Sequence, residues 1–219
     1  MNKVVVGLVA LLAASVSQPV LAQQVASLEA TRVVIAPPQS DIARTIKEGL
    51  SAAYYGARPD TAAAADAQRL YFLYGERFFE PIWLSQAGDG KVAFSPSAEK
   101  IISLFRNAEA EGLRPSDYLT PQIENLPTGS DPIALATLET SFTAAVMKYA
   151  YHIHNGRIRP QSVSENFDIK PKAIDETALL ERLVKSSDPA AVLNELQPRH
   201  PEFLALRQAL ASFKDNLAE

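Results

Sequence analysis

The 219-residue sequence predicts an all-α fold. From residue 41 onward, apolar residues recur every three to four positions, which is the period of one helix face. Acids, serines and prolines stand where those runs begin, and glycines stand where several of them end. No run of alternating apolar and polar residues is long enough for a sheet. A chain of this length is suited to one domain with a sizeable core, here of about six to eight helices.

Asp41 is a plausible N-cap for a first helix, in which Ile42, Ile46, Leu50 and Ala53 share a face up to Gly56. Asp60 or Thr61 opens a second helix. It runs through Ala62, Ala63, Ala64 and Ala65 into Leu70, Leu73 and Arg77, and alanine is the strongest helix former. Residues 79–84 read as extended, because the residue before Pro81 avoids the α region. Ser95 and Pro96 start a third helix that is expected to reach the glycine cap at Gly112. Asp131-Pro132 opens the longest helix, with Leu135, Leu138, Phe142, Val146, Tyr149 and Ile153 on one stripe and Asn155-Gly156 as its stop. Asp175 caps a helix bearing Leu179, Leu180, Leu183 and Val184, and Asp188-Pro189 opens a short one ending near Leu196. The last helix begins at Pro201, with Phe203, Leu206, Leu210, Phe213 and Leu217 in 3-4-3-4 spacing.

The N-terminal stretch reads differently. Lys3, an eleven-residue apolar run over 4–14 and the small-residue junction Val20-Leu21-Ala22 make residues 1–22 a signal peptide. A retained anchor is the rival, but it needs about 20 apolar residues. Residues 23–40, with Pro37-Pro38, form a flexible leader or a short strand over 31–36. Residues 41–219 are the helical domain. Cleavage removes only Lys3 from the charge tally, so a net charge of −4 becomes −5. The expected location is the periplasm, with no stable membrane span after cleavage.

Composition excludes several chemistries. With no cysteine there is no disulfide, thiolate nucleophile, lipoprotein anchor or Cys-ligated metal. The acidic balance argues against nucleic acid as a partner. His152 and His154 are two apart and point to different helix sides, so no metal site is expected. No cofactor and no catalytic residue are assigned, and no G-x-S-x-G elbow occurs. Glu76, Glu80, Glu109 and Glu111 are the carboxylates open to a glycosidase reading, and solvation is the better account of Glu109 and Glu111.

Two features stand out as possible contact surfaces. In Tyr74-x-x-Arg77-x-Phe79-x-Pro81-x-Trp83, Trp83 is either a platform for sugar or a partner, or a core anchor, and core is favoured. In Asn155-Gly156-Arg157-Ile158-Arg159-Pro160, Arg157 and Arg159 either meet an anionic polymer or complement helix C-termini.

These two motifs occur together with Ala108-Glu109-Ala110-Glu111-Gly112-Leu113-Arg114-Pro115-Ser116-Asp117-Tyr118. Asp188-Pro189 and Pro198-Arg199-His200-Pro201-Glu202-Phe203-x-x-Leu206-Arg207-x-Ala209-Leu210 follow. In this order, over about residues 40 to 213, they resemble the N-terminal scaffold domain of the large YcbB-type L,D-transpeptidases of Gram-negative bacteria. Members of that family continue into a peptidoglycan-binding module and a catalytic domain with a nucleophilic cysteine. The resemblance implies a helical scaffold, periplasmic residence and a peptidoglycan cross-linking context. It implies no catalytic residue here, since the cysteine is absent. The expected function is a non-catalytic scaffold for cell-wall remodelling, either stand-alone or the front of a longer enzyme, with peptidoglycan or a cell-wall enzyme as partner. The alternative is a periplasmic adaptor for another envelope protein, without a cell-wall role.

Overall fold

The computed structural model describes residues 37–86, 91–126, 131–166 and 168–218. The expected signal peptide, and the expected leader and short strand before residue 37, lie outside the described residues. Eight α-helices and one two-stranded hairpin follow, and the all-α expectation holds. Helix α1 spans Asp41–Gly56 and α2 spans Ala62–Gly75. Strands β1 (Leu84–Gln86) and β2 (Val92–Phe94) pair antiparallel, with Leu84 opposite Phe94. Helix α3 is Pro96–Arg106, α4 the single turn Pro121–Glu124 and α5 the long Pro132–Asn155. Helices α6 (Glu176–Lys185), α7 (Pro189–Asn194) and α8 (Pro201–Ala218) are the last elements among the described residues.

Most helix starts are set by the residues expected to set them. The side chains of Thr61, Ser95, Asp131, Asp175 and Asp188 each accept a hydrogen bond from a backbone N–H in the first turn of the helix that follows. At α1 the cap is Ser40 rather than Asp41: Ser40 Oγ accepts from the Ala43 N–H at 3.1 Å. Asp41 lies inside the first turn, where its charge suits the positive helix end.

The third helix is shorter than expected. It ends at Arg106, and a 3₁₀ turn, Ala108–Glu111, carries the chain to Gly112. Gly112 has φ +69°, and the Leu113 N–H donates back to the Ala108 carbonyl at 3.1 Å. The glycine cap is therefore real, but it closes the 3₁₀ turn. The hairpin was not expected at all, since three-residue strands are too short to display a period of two.

The core is organised by α5. All six residues of its expected stripe, from Leu135 to Ile153, are buried. They meet Ile101, Ile102 and Phe105 of α3, Leu179, Leu180 and Leu183 of α6, and Val192 and Leu193 of α7 in one cluster. A smaller cluster joins Ala43, Ile46 and Leu50 of α1 to Tyr74, Phe79 and Ala136. Helix α8 is the exception. Its 3-4-3-4 spacing makes an apolar face, yet Leu206 is 71% and Phe213 is 61% exposed. No helix among the described residues is long and apolar enough to cross a membrane.

Candidate functional site

The segment that carries Trp83 is not simply extended. After α2 the chain turns through residues 76–79, with Phe78 at φ +57° and Phe79 at φ +64°. Bulky residues avoid this left-handed region, at a cost of about 1–3 kcal/mol each. The turn is a helix stop of the kind glycine usually makes, with the Phe79 N–H donating to the Tyr74 carbonyl at 2.9 Å. It is held because Phe79 is buried against α1. From there the chain passes Pro81 and enters β1 across α5.

Glu139 fixes that crossing. It and Thr143 are the buried polar residues of the core among the described residues. One carboxylate oxygen accepts from the Ile82 N–H at 2.6 Å and from the Tyr74 hydroxyl at 2.9 Å. The other accepts from the N–H groups of Trp83 and Leu84, each at 3.1 Å. Thr143 Oγ1 accepts from the Trp83 indole N–H at 2.8 Å and lies 2.6 Å from the Tyr74 hydroxyl. Burial and then the Glu139 charge push the Tyr74 phenol up, so it keeps its proton and donates to the carboxylate. Burial pushes Glu139 itself above the usual carboxylate range, and the converging donors act against that shift.

Trp83 is consequently a core residue, with 0% of its surface exposed and its ring 5.2 Å from that of Phe142. No face is open for a sugar to stack on, which removes Trp83 from the candidate contact residues. The indole both fills the core and spends its one donor on Thr143.

The remaining motifs meet one another. Asp117, in the turn after Gly112, lies 3.5 Å from the Arg157 guanidinium, and its backbone carbonyl accepts from Lys148 Nζ at 3.1 Å. Next to it, Tyr118 is buried, with its hydroxyl 2.8 Å from His152 Nδ1. Burial, followed by the Asp117 charge, raises the Tyr118 phenol. Burial, followed by the Lys148 charge, lowers His152. The neutral imidazole thus accepts and the phenol donates. Glu111, expected to be solvated, is instead paired with Arg207 of α8, and its side chain is only 9% exposed. A carboxylate among apolar neighbours needs such a partner.

Arg157 and Arg159 line an open groove of about 860 Å³ between the C-terminal half of α5, the middle of α2 and the chain leading to α6. Lys148, Lys170, Lys172 and Arg69 bring four more cations to it, against the carboxylates of Asp66 and Glu176. Arg69 is already engaged, at 2.9 Å from Asp66 and 3.1 Å from Glu176. Arg157 faces Asp117, and Lys148 meets two neutral groups, the Asp117 carbonyl and, at 6.0 Å, the face of the Tyr118 ring. The groove thus carries an excess of positive charge on a chain whose net charge is −4, which favours anions over cations there. Sequence reasoning found the two arginines because only Ile158 separates them. It missed the lysines, which only the folding of the 161–176 segment against α5 brings alongside.

A family model described as the scaffold domain matches residues 68–210, well over half of the chain. The chain belongs to the scaffold-domain family. No curated protein and no solved structure matches it. Within this scaffold domain, the matched span contains both the Glu139 junction and every lysine and arginine of the basic groove. The two sites differ in kind: the first joins core elements and offers nothing to solvent, whereas the second is open and charged. Among the described residues, no group of three or more His, Asp or Glu is placed to hold a metal ion.

Proposed function

We propose that this chain is a non-catalytic periplasmic scaffold that serves L,D-transpeptidase-type peptidoglycan remodelling, as a stand-alone relative or as the front part of a longer enzyme. The observation that carries the reading is that the scaffold-domain match over 68–210 encloses every motif of the resemblance, from Tyr74 to Leu210. The fold supports it further. Glu111–Arg207 joins the motif around Gly112 to the one on α8, and Asp117–Arg157 joins it to the basic loop. Three of the motifs are thus joined to one another within the domain, as expected of a support. The chain contains no cysteine, so it supplies none of the thiolate chemistry of cross-linking itself.

In this reading Arg157 and Arg159 contact the wall. Purified sacculi should pellet the native protein at low salt and release it at high salt, because exposed charge contacts are screened. Arg157→Glu with Arg159→Glu should leave most of the protein in the supernatant with its fold intact, at a stability lowered by no more than about 1 kcal/mol for the lost Asp117–Arg157 pair. If the native protein stays in the supernatant at low salt, direct wall contact is wrong. The exposed apolar face of α8 at Leu206 and Phe213 would then favour the second reading, an adaptor for another envelope protein.

Export is tested separately. Protein recovered from the envelope of a Gram-negative host should begin at Gln23, as expected for cleavage after Val20-Leu21-Ala22. Intact Met1 in the cytosol would defeat the periplasmic assignment.

A further inference from the structure

We infer that the groove beside the C-terminal half of α5 is a binding site for an acidic peptide, a chain that carries carboxylates among small apolar side chains. The inference stands on the groove alone and holds whether or not the wall reading does. Charge complementarity sets the sign of the occupant. Arg159, Lys170 and Lys172 line the groove with exposed side chains and make no ion pair among the described residues. Lys148, which makes no ion pair among the described residues, adds a fourth charge.

The rest of the lining sets the class of ligand. Ile158 and Ile169 are exposed at 63% and 59%, with Pro160 and Pro171 beside them in the lining. An apolar wall between cations matches a chain whose own side chains alternate between carboxylate and small apolar groups. A phosphodiester chain asks for something else, namely a row of rings on which successive bases stack. Tyr151 is the one phenol or phenyl ring among the lining residues. Arg159 can also receive a carboxylate through two parallel N–H donors, whereas the lysines act as point charges.

The test uses the whole protein and a dye-labelled hexapeptide of alternating glutamate and alanine, followed by fluorescence anisotropy at low salt. Binding is expected to be at least about tenfold tighter than for the matched glutamine–alanine peptide, and to weaken as salt is added. Lys170→Glu with Lys172→Glu should weaken it by about tenfold or more, since each changed side chain is exposed and reverses a facing charge. The same variant should keep the native unfolding midpoint, and Arg159→Gln, which keeps length and polarity, should give a smaller loss. Equal affinity for the glutamine peptide would overturn the inference. So would a thymidine oligonucleotide of equal charge binding as tightly as the peptide, because the site would then read phosphate or charge alone. Undiminished binding by the lysine-reversed protein would place the contact elsewhere and overturn it too.

Discussion

Glu139→Ala is expected to be among the most destabilising single changes in this chain, lowering stability by about 3–5 kcal/mol, as when one partner of a buried charged network is removed. Four donors point at this carboxylate: the N–H groups of Ile82, Trp83 and Leu84 and the Tyr74 hydroxyl. Alanine leaves them buried without an acceptor, and each such orphan costs about 1–3 kcal/mol before relaxation. The damage has a predictable place. The strained turn at Phe78 and Phe79 feeds directly into this junction, so releasing residues 82–84 also releases what holds the turn. Trp83 is the sole tryptophan, which gives the experiment a local probe. Urea unfolding should show a lower midpoint, and emission of the folded protein should shift to the red as water reaches the indole. Glu139→Gln should fall between the two, because its amide keeps one acceptor and turns an NH₂ group toward N–H donors. An unchanged midpoint for Glu139→Ala would mean that the carboxylate does not hold the turn.

The sequence disclosed the helices far better than it disclosed this junction. Caps are local events: Ser95, Asp131, Asp175 and Asp188 each bond a backbone N–H within three residues, so adjacent letters suffice to find them. Glu139 also left a mark, as a charged residue between Leu138 and Phe142 on the α5 stripe. What it satisfies lies more than fifty residues away, where spacing says nothing. The same limit explains Glu111, whose partner Arg207 is 96 residues downstream. It explains the groove as well: the Arg157–Arg159 loop was legible, whereas the alignment of Lys148, Lys170 and Lys172 with it is a product of topology. Helix α8 shows the converse. Its periodicity is clear, but amphipathicity specifies a face and not what covers it.

The second large effect should come from Phe142→Ala, at about 3–5 kcal/mol, the usual range for deleting a fully buried aromatic ring. Phe142 has 0% of its surface exposed and stands where the hairpin, α3 and α5 converge. Its ring lies 5.2 Å from Trp83, 5.4 Å from Phe94 and 6.0 Å from Phe105, in tilted arrangements that let each ring edge meet a neighbouring face. None of these neighbours can move into the space without giving up its own packing. Trp83 is held by its indole hydrogen bond to Thr143, and Phe94 sits in register opposite Leu84. The cavity should therefore persist, and its cost adds to the lost transfer energy. Phe213→Ala on α8 is the matched control. It deletes the same ring from a 61% exposed position and should change stability by no more than about 0.5 kcal/mol. Denaturant midpoints of the two variants, read on circular dichroism and on Trp83 emission, give the comparison directly. Equal losses at the two positions would show that α8 is packed in solution as firmly as α5, and that its apolar face has found a partner.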